Sequence, residues 1–528
     1  MMAKGKKKSL HGEEPGVVQT VPIRNEKFLP MPSIPCALGM AASYYLYPFF
    51  ISLPHGRLFF VAAMFVLVAS LSFIRVLLFM LNGNAPQNRV SLVKKIGILS
   101  AAAALGFFGG IAARRTVHGP PVFGLPFESI TAVSGILRED PRTLAGGSGF
   151  ATMMLREAGG RGALRAGADG DLAVFFPEDS IPRLKEFGRG CEIFTDGKLA
   201  QGRGGPVFYA ESVHIVKPAP AIEQFRTGLR MTLIGAFRGR QGSSPPVWGN
   251  FALALLLGVR DDLDVDLSKG FANSGCSHIL ALSGMHLAII SAVLAFLLRR
   301  PLGLRWASLA GAAFILFYVF IAGSQPSLVR SAIMYLIGTF ALWGYLETKP
   351  LSLLCMAFII QMVFQSSTGV SISFILSYLA LAGILTIGMS LQSLFRGRLP
   401  EIINGGLSAS LGAFIATAPL TALYFGSLRP IGIAAGLILA PLSSVFMVLS
   451  LSALLVSALP LPIWNILDFF LSFNYRVIEI FVSLAERVPG FEVPNVFTIL
   501  AGTIVLWAII IFFHKRDNAL RKSIAAFD

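Results

Sequence analysis

Long apolar segments alternate with short polar stretches along most of the chain. Most are long enough to cross a bilayer, and their apolar residues do not alternate. They therefore predict a polytopic α-helical membrane protein rather than a membrane β-barrel. The segment at 249–259 is short for a full crossing, and the charged stretch 461–488 is typical of a partly interfacial helix. The predicted helices lie near 34–53, 58–82, 95–113, 249–259, 275–299, 303–323, 326–346, 350–366, 371–392, 403–425, 429–458 and 494–513.

Residues 118–218 have a different pattern, in which short apolar runs are separated by Gly-rich turns such as AGGSG and QGRGG. This pattern predicts a small β-barrel or sandwich, most economically an OB-like barrel. Such barrels often bind single-stranded nucleic acid through aromatic and basic side chains. Residues 129–217 contain eleven Lys/Arg and eleven Asp/Glu, and most aromatic residues fall inside the strand runs. A purely structural domain and a DNA-contacting domain are therefore equally supported.

A basic amphipathic helix is predicted directly after this domain, over residues 220–240. Arg226 and Arg230 lie one turn apart, beside an apolar stripe that includes Phe225 and Leu229. A helix of this kind lies at a membrane surface. Lipid headgroup phosphates are the favoured partners of the two arginines, and substrate phosphates are the alternative.

Composition and charge agree with a membrane protein and indicate its orientation. The chain has 528 residues, a mean hydropathy of +0.70, 14% charged residues and a formal net charge of +16. The basic tail and the cluster of Arg89, Lys94 and Lys95 predict cytoplasmic flanks, so that three crossings place the barrel on the outer side. Most of the positive charge is explained by this topology, although an anionic polymer such as nucleic acid is the alternative.

The predicted organisation has six parts, and cysteine spacing adds no metal site or disulfide framework. The four cysteines are scattered without a CxxC pair, and the N-terminus does not have the pattern of a cleavable signal. The parts are a cytoplasmic basic tail (1–33), N-terminal transmembrane helices (34–117), the OB-like domain (118–218), an amphipathic helix and linker (219–248), a transmembrane domain (249–515) and a cytoplasmic tail (516–528).

The stretch SGCSHILALSGMH (274–286) places polar residues at the mouth of a predicted membrane helix. His278 and His286 are eight residues apart, which predicts one helix face, and Ser283 and Gly284 lie between them. The histidines could bind metal, but no third ligand has suitable spacing. Ser283 could be a nucleophile with a histidine base, as in an intramembrane hydrolase. The favoured interpretation is that these residues pack helices and line a polar path.

Three further elements carry candidate residues. Arg260 directly follows an apolar run, and the four nearby aspartates (261, 262, 264 and 266) do not fit an EF-hand loop, which predicts a solvated loop without calcium. Arg330 lies one turn into a helix that Pro326 begins, where it either reaches the interface or faces an aqueous path. Ser373 belongs to the serine-containing helix SISFILSYLAL (371–381).

Several motifs, in the right order, resemble the ComEC family of competence proteins. The family pattern "LLLG-x-R" stands here as LLLGVR (255–260), and "TG-x-x-HLLAISGLH" as SGCSHILALSGMH (274–286). The later family patterns correspond to PSLVRSAIM (326–334), SISFILS (371–377) and ATAPLTALYFG (416–426). The resemblance covers about residues 30–515, including the OB-like domain.

The resemblance implies an inner-membrane channel that passes single-stranded DNA into the cytoplasm during natural transformation. It implies single-stranded DNA, membrane lipids and an external DNA receptor as partners. A cytoplasmic ATP-driven motor is a further expected partner, because the sequence has no P-loop. An oligomer is possible. Two departures from the family stand out. The HxHxDH motif of the metallo-β-lactamase-like domain is missing, so a separate nuclease is expected, and residues 118–218 contain only Cys191, so the disulfide of some relatives cannot form there.

The residues expected to shape the path bind rather than catalyse, and no cofactor or metal is expected. The alternatives are the hydrolase described above and an exporter of another anionic polymer or lipid. The residues predicted to line or shape the path are Arg260, His278, Ser283, Gly284, His286, Arg330 and Ser373.

Overall fold

The structure is a computed structural model of the chain. It describes residues 32–52, 87–117, 121–144, 146–160, 165–202, 205–238, 246–457 and 464–492. The predicted helices near 58–82 and 494–513, nearly all of the N-terminal tail and the whole C-terminal tail lie outside the described residues.

Two apolar helices, α1 (Ser33–Ser52) and α2 (Gln87–Arg115), come first and pack closely through glycine. A Cβ atom on Gly39 would lie 2.3 Å from the carbonyl oxygen of Ala103, and one on Gly106 would lie 1.9 Å from that of Cys36. Membrane helices often approach each other through such small residues, because van der Waals packing drives their association.

The barrel strands follow, with one short helix between them. The strands are β1 (Val122–Phe123), β2 (Ile130–Leu137), β3 (Arg142–Thr143), β4 (Gly149–Gly160), β5 (Arg165–Asp169), β6 (Asp171–Phe176), β7 (Glu192–Gly202) and β8 (Gly205–Lys217). The helix α3 (Ile181–Phe187) connects β6 to β7.

Five of these strands close into a barrel in the order β2–β4–β6–β8–β7, and β7 pairs back with β2. Only the β6–β8 pair is parallel, and it is made possible by the excursion through α3 and β7. This is the strand order of an OB fold. Alternating side chains from each strand fill the barrel, with Phe176 and Phe208 almost fully buried in its core. The predicted OB-like barrel is thus confirmed.

The described residues after the barrel are mainly helical, and one small two-stranded sheet is formed by β9 (Ser427–Leu428) and β10 (Phe491–Glu492). The helices are α4 (Ala221–Arg238), α5 (Gly249–Leu257), α6 (Val265–Asn273), α7 (Ser277–Leu280), α8 (Gly284–Ala322), α9 (Pro326–Trp343), α10 (Pro350–Phe364), α11 (Ile372–Gly383), α12 (Met389–Phe395), α13 (Glu401–Phe425), α14 (Ile431–Ser457) and α15 (Trp464–Ala485). A π-helical turn at Ile384–Gly388 joins α11 to α12.

Six helical stretches among the described residues are long and apolar enough to cross a membrane. They confirm the predicted polytopic helical class, and the chain is a multi-pass membrane protein. The longest, α8, consists of two consecutive helices that meet at a kink. The kink lies at Gly303, which has non-helical angles (φ 74°, ψ 165°), two residues after Pro301. The six are Gly97–Arg115, Gly284–Ala322, Pro326–Trp343, Ile372–Phe395, Glu401–Phe425 and Ile431–Val456.

The predicted helix at 275–299 is interrupted, and this corrects the relation of its two histidines. The short helix α7 ends at Leu280, Ala281 is extended (φ −76°, ψ 133°), and a new helix begins at Gly284 after extended Ser283. His278 and His286 therefore lie on two separate helices and do not share one helix face. The break creates a new helix N-terminus at the start of a membrane-crossing stretch, and its free backbone amides need polar partners.

Candidate functional site

The N-terminus of α8 is capped by its own side chains. The backbone amide of Ser283 donates to Nδ1 of His286 at 3.0 Å, and Oγ of Ser283 lies 3.0 Å from the same nitrogen. This is a capping box in which histidine takes the third helical position. Because Nδ1 accepts from an amide, the ring proton belongs on Nε2. That Nε2 atom is buried and has no hydrogen-bond partner among the described residues.

Arg330 lies beside this cap, on α9. It is the charged member of a group that we name the cluster, which consists of Ser283, Gly284, His286, Arg330, Gln361 and Ser377. Its side chain is only 7% exposed, although α9 is one of the membrane-crossing stretches. Its guanidinium donates to the carbonyl oxygen of Ser377 and lies 5.7 Å from the ring centre of Tyr378. Nε of Arg330 has no partner, and no carboxylate lies within 4.0 Å of the side chain in the described residues. Among the described residues, the cation is therefore held by one carbonyl dipole and an aromatic ring.

Gly284 lets the cap and the arginine approach each other. A Cβ atom at this position would lie 2.6 Å from Oγ of Ser331 and 3.2 Å from a guanidinium nitrogen of Arg330. The start of α9 is also tied to the break, because Oγ of Ser327 donates to the carbonyl oxygen of Leu282 at 2.5 Å. Ser283, Gly284, His286 and Arg330, chosen from separate motifs, are thus brought together.

Polar residues that the sequence analysis did not select complete the cluster. Gln361 on α10 is fully buried, accepts a hydrogen bond from the hydroxyl of Tyr378 at 2.9 Å, and donates to the carbonyl oxygen of Pro326 at 3.3 Å. Ser377 contributes its carbonyl to Arg330, while its own Oγ is buried without a partner in the described part of the chain. Gln361 could have been selected from the sequence, because it lies in the apolar run PLSLLCMAFIIQMVF and a buried amide in a membrane helix needs partners.

Three predicted residues lie away from this cluster. Ser373 and His278 have exposed side chains, on α11 and α7 respectively. Arg260 is also exposed, in the loop after α5, but the chain near it contacts the cluster, because a Cβ atom on Gly258 would lie 2.9 Å from the Leu282 side chain. Arg260 therefore flanks the cluster, whereas Ser373 and His278 take no part in it.

Both arginines of α4 contact protein groups in the structure. Arg226 is fully buried and forms ion pairs with Asp140 of the barrel and Glu223 of its own helix. Arg230 donates to the carbonyl oxygens of Ile321 and Ala322, each at 3.2 Å, at the end of α8. The interpretation of Arg226 as a free phosphate ligand at the interface is wrong in this structure, because protein groups surround its guanidinium. We name Asp140, Arg189, Glu223, Arg226 and Arg230 the junction network.

Charges in the junction network stabilise one another. Burial by itself would raise the pKa of Asp140, but hydrogen bonding from Arg226 and the charges of Arg230 and Arg226 hold that pKa below its usual value. Glu223 follows the same pattern. Burial raises its pKa, but Arg189 and Arg226 together hold that pKa below its usual value. Both carboxylates are therefore ionised at neutral pH, and the network joins barrel, α4 and α8.

Three of the four aspartates after α5 hold structure together. Asp261 pairs with Lys185 of the barrel at 2.6 Å and accepts the amide of Thr143 at 3.1 Å. Asp262 pairs with Arg238, and Asp264 caps α6 by accepting the amide of Asp266 at 3.0 Å. No group of three or more potential metal ligands occurs among the residues that the structure describes. Asp261 thus gives the barrel a second contact with the membrane part of the chain.

A comparison with known families identifies most of the helices that follow the barrel. The model of the family described as "Competence protein" matches residues 255–517, which include the break, the cap and Arg330. Residues 255–517 are a competence protein domain. This confirms the resemblance to the ComEC family that the motifs indicated.

Two curated relatives match parts of the chain that carries the competence protein domain. An "Uncharacterized protein" of Aquifex aeolicus is 27% identical over 273 residues, which are 51% of this chain and 62% of that protein. "ComE operon protein 3" of Bacillus subtilis is 28% identical over 202 residues, 37% of this chain and 25% of that protein. The chain thus matches less than two thirds of either relative's length. No solved structure matches it.

Proposed function

We propose that this protein passes single-stranded DNA through the cytoplasmic membrane into the cell during natural transformation. The competence family and the relative named ComE operon protein 3 support a role in DNA uptake. The observation that carries the channel role is Arg330, a buried cation on a membrane helix with no carboxylate within 4.0 Å among the described residues. An unpaired charge at such depth is expensive, and such residues usually serve an ion or substrate path.

The chemistry of the cluster suits a phosphate backbone. A polyanion can cross hydrocarbon only along a path with fixed positive charge and hydrogen-bond donors. Arg330 supplies the charge, and Ser283, His286 and Ser377 supply polar groups around it. Nε2 of His286 and Oγ of Ser377 have no hydrogen-bond partner in the part of the chain that the structure describes. With Arg330 7% exposed, the helices α8, α9 and α11 must move apart before a strand reaches it.

The proposed path begins at the barrel, which we place on the outer side from the distribution of basic flanking residues. Arg260 lies in the loop that contacts both the barrel, through Asp261, and the break, through Gly258. It would receive the strand between the two parts. An external DNA receptor, a cytoplasmic ATP-driven motor and a separate nuclease are the partners that this role requires.

The test is internalisation of labelled duplex DNA by cells that lack this gene. We expect bound DNA to stay accessible to added nuclease in the deletion strain and to become protected only when the wild-type gene is restored. The control is surface binding of the same DNA, which should not change. Equal protection with and without the gene would contradict the proposed function.

One contact favours a second function, an intramembrane hydrolase. Oγ of Ser283 lies 3.0 Å from Nδ1 of His286, which is within reach for a nucleophile and its base. The amide of Ser283 already donates to the same nitrogen, however, and no carboxylate orients the far side of the ring among the described residues. The capping function accounts for the pair without a reaction.

Replacing Ser283 with Ala distinguishes the two functions. We expect S283A to lower DNA internalisation by no more than about tenfold, because an N-cap contributes about 1 kcal/mol. The measurement is the protected fraction of labelled DNA in cells that produce equal amounts of each variant. A hydrolase would instead lose all activity in S283A, and S283T would then restore part of it.

A further inference from the structure

A row of aligned side chains crosses the outside of the barrel. In the strand register, Phe150 is opposite Phe175, and Phe175 is opposite Tyr209. Arg142 is opposite Phe150 at one end, and Lys198 is opposite Tyr209 at the other. Because directly paired residues lie on the same face of a sheet, the five side chains form one continuous line over five strands. We name this line the aromatic row.

The aromatic row faces away from the barrel core. Its strand neighbours Ala151, Val174 and Phe208 are buried, and side chains alternate between the two faces of a strand. The rings of Phe150 and Phe175 are 5.3 Å apart, and those of Phe175 and Tyr209 are 5.2 Å apart and nearly parallel. Tyr209 is 52% exposed. The barrel core therefore does not account for these three rings.

The cations at the ends of the row are available to a ligand. The Arg142 side chain is 62% exposed and pairs with Glu139 at 2.8 Å, and that of Lys198 is 83% exposed and pairs with Glu211 at 3.5 Å. Exposed pairs of this kind contribute little, so a phosphate can replace the carboxylate. A line of rings between two cations matches the alternation of bases and phosphates in a nucleic acid strand.

One end of the row lies at the entrance to the membrane part. Arg142 is followed by Thr143, whose amide donates to Asp261, the neighbour of Arg260. The positive charge of Arg142 also acts on Arg260, as expected for two nearby cations. A strand held on the row would therefore continue toward Arg260.

We propose that the aromatic row is a binding site for single-stranded nucleic acid, with bases on the rings and phosphates at Arg142 and Lys198. This inference deepens the proposed function and rests on it only for the direction in which the strand moves. The row requires unpaired bases, because a duplex hides its base faces in the stack. It also selects weakly by sequence, because every base has a π face.

The test measures binding of a fluorescent oligo-dT strand to the full-length protein in nanodiscs by anisotropy. We expect Y209A to weaken binding about tenfold, and Y209A combined with F175L to weaken it further. Y209F should bind as wild type, because the ring remains. The matched control is F127A, which removes an exposed ring outside the row. An abasic strand of equal length should bind at least tenfold more weakly than oligo-dT.

Salt dependence gives a second readout. With two cations in contact with phosphate, the logarithm of the binding constant should fall with the logarithm of salt concentration with a slope of about −1.4. Equal binding of oligo-dT by Y209A/F175L and wild type, or of abasic strand and oligo-dT, would overturn the site. The site would also be overturned if the aromatic-row variants bound oligo-dT like the wild type but lost binding to anionic lipid vesicles. Because binding needs no transport, unchanged uptake after gene deletion would overturn the proposed passage and leave this site standing.

Discussion

Replacing Arg330 with Glu is expected to reduce DNA internalisation at least about a hundredfold. The substitution puts a carboxylate beside the carbonyl oxygen of Ser377, where the guanidinium now donates a hydrogen bond. It also reverses the charge that a polyanion would meet in the membrane, and a hundredfold change corresponds to about 2.7 kcal/mol. The measurement is the nuclease-protected fraction of labelled DNA at equal amounts of protein in the membrane.

Neutral and conservative variants separate the charge of Arg330 from its packing. R330Q keeps hydrogen-bond donors without the charge and should internalise DNA poorly, whereas R330K should retain part of the activity. Lysine cannot reproduce the planar contacts with Ser377 and Tyr378, so full activity is not expected. The matched control is R299E, which reverses an exposed cation on α8. Wild-type internalisation by R330Q would show that the positive charge is not needed.

The helical class could be predicted from the sequence because the bilayer allows few solutions. Long apolar runs must be helices in lipid, since all their backbone groups must be paired within the segment. The predicted starts at Pro326 and Pro350 agree with α9 and α10. Proline marks a helix start because the amide that it lacks has no partner in the first turn. The break at Ala281–Ser283 was hidden, because serine, glycine and alanine are also ordinary residues of packed membrane helices.

The candidate site could be predicted only in part, because helix register decides which side chains meet. Arg330, Ser283 and His286 were selected as polar residues at membrane depth, and the structure brings them together. Ser373 was selected from the same helix as Ser377, but Ser377, one turn further on, contacts Arg330. Nothing in a single apolar helix shows which of its faces will meet a neighbour.

Long-range partners explain the other differences. Arg226 has the spacing of a surface arginine, yet its partner Asp140 lies 86 residues earlier in the chain. Phe150 and Phe175 lie inside apolar strand runs, where packing into the barrel core is the usual outcome. Alternation within each strand could have separated Phe175 from Phe176, but the alignment with Tyr209 depends on the parallel pairing of β6 with β8.

Removing the Arg226 guanidinium is expected to destabilise the protein by about 3–5 kcal/mol. R226M leaves the largely buried Asp140 without its main cation and removes one of the two arginines that pair with Glu223, and uncompensated buried charge has this magnitude of effect. The matched control is R238M on the same helix, whose pair with Asp262 is about half exposed and should contribute less than about 1 kcal/mol. Thermal unfolding in detergent should show R226M lowered by about 10 °C and R238M nearly unchanged.

A double variant tests whether charge, rather than volume, causes the loss. R226M combined with D140N removes both charges while keeping similar shapes, so it should recover part of the stability that R226M loses. Arg226 is the main group that lowers the pKa of Asp140, so in R226M burial would raise that pKa and the carboxylate would keep Arg230, at 3.8 Å, as its neighbouring cation. Equal loss of stability in the single and double variants would instead assign the effect to packing of the arginine side chain between the barrel and α8.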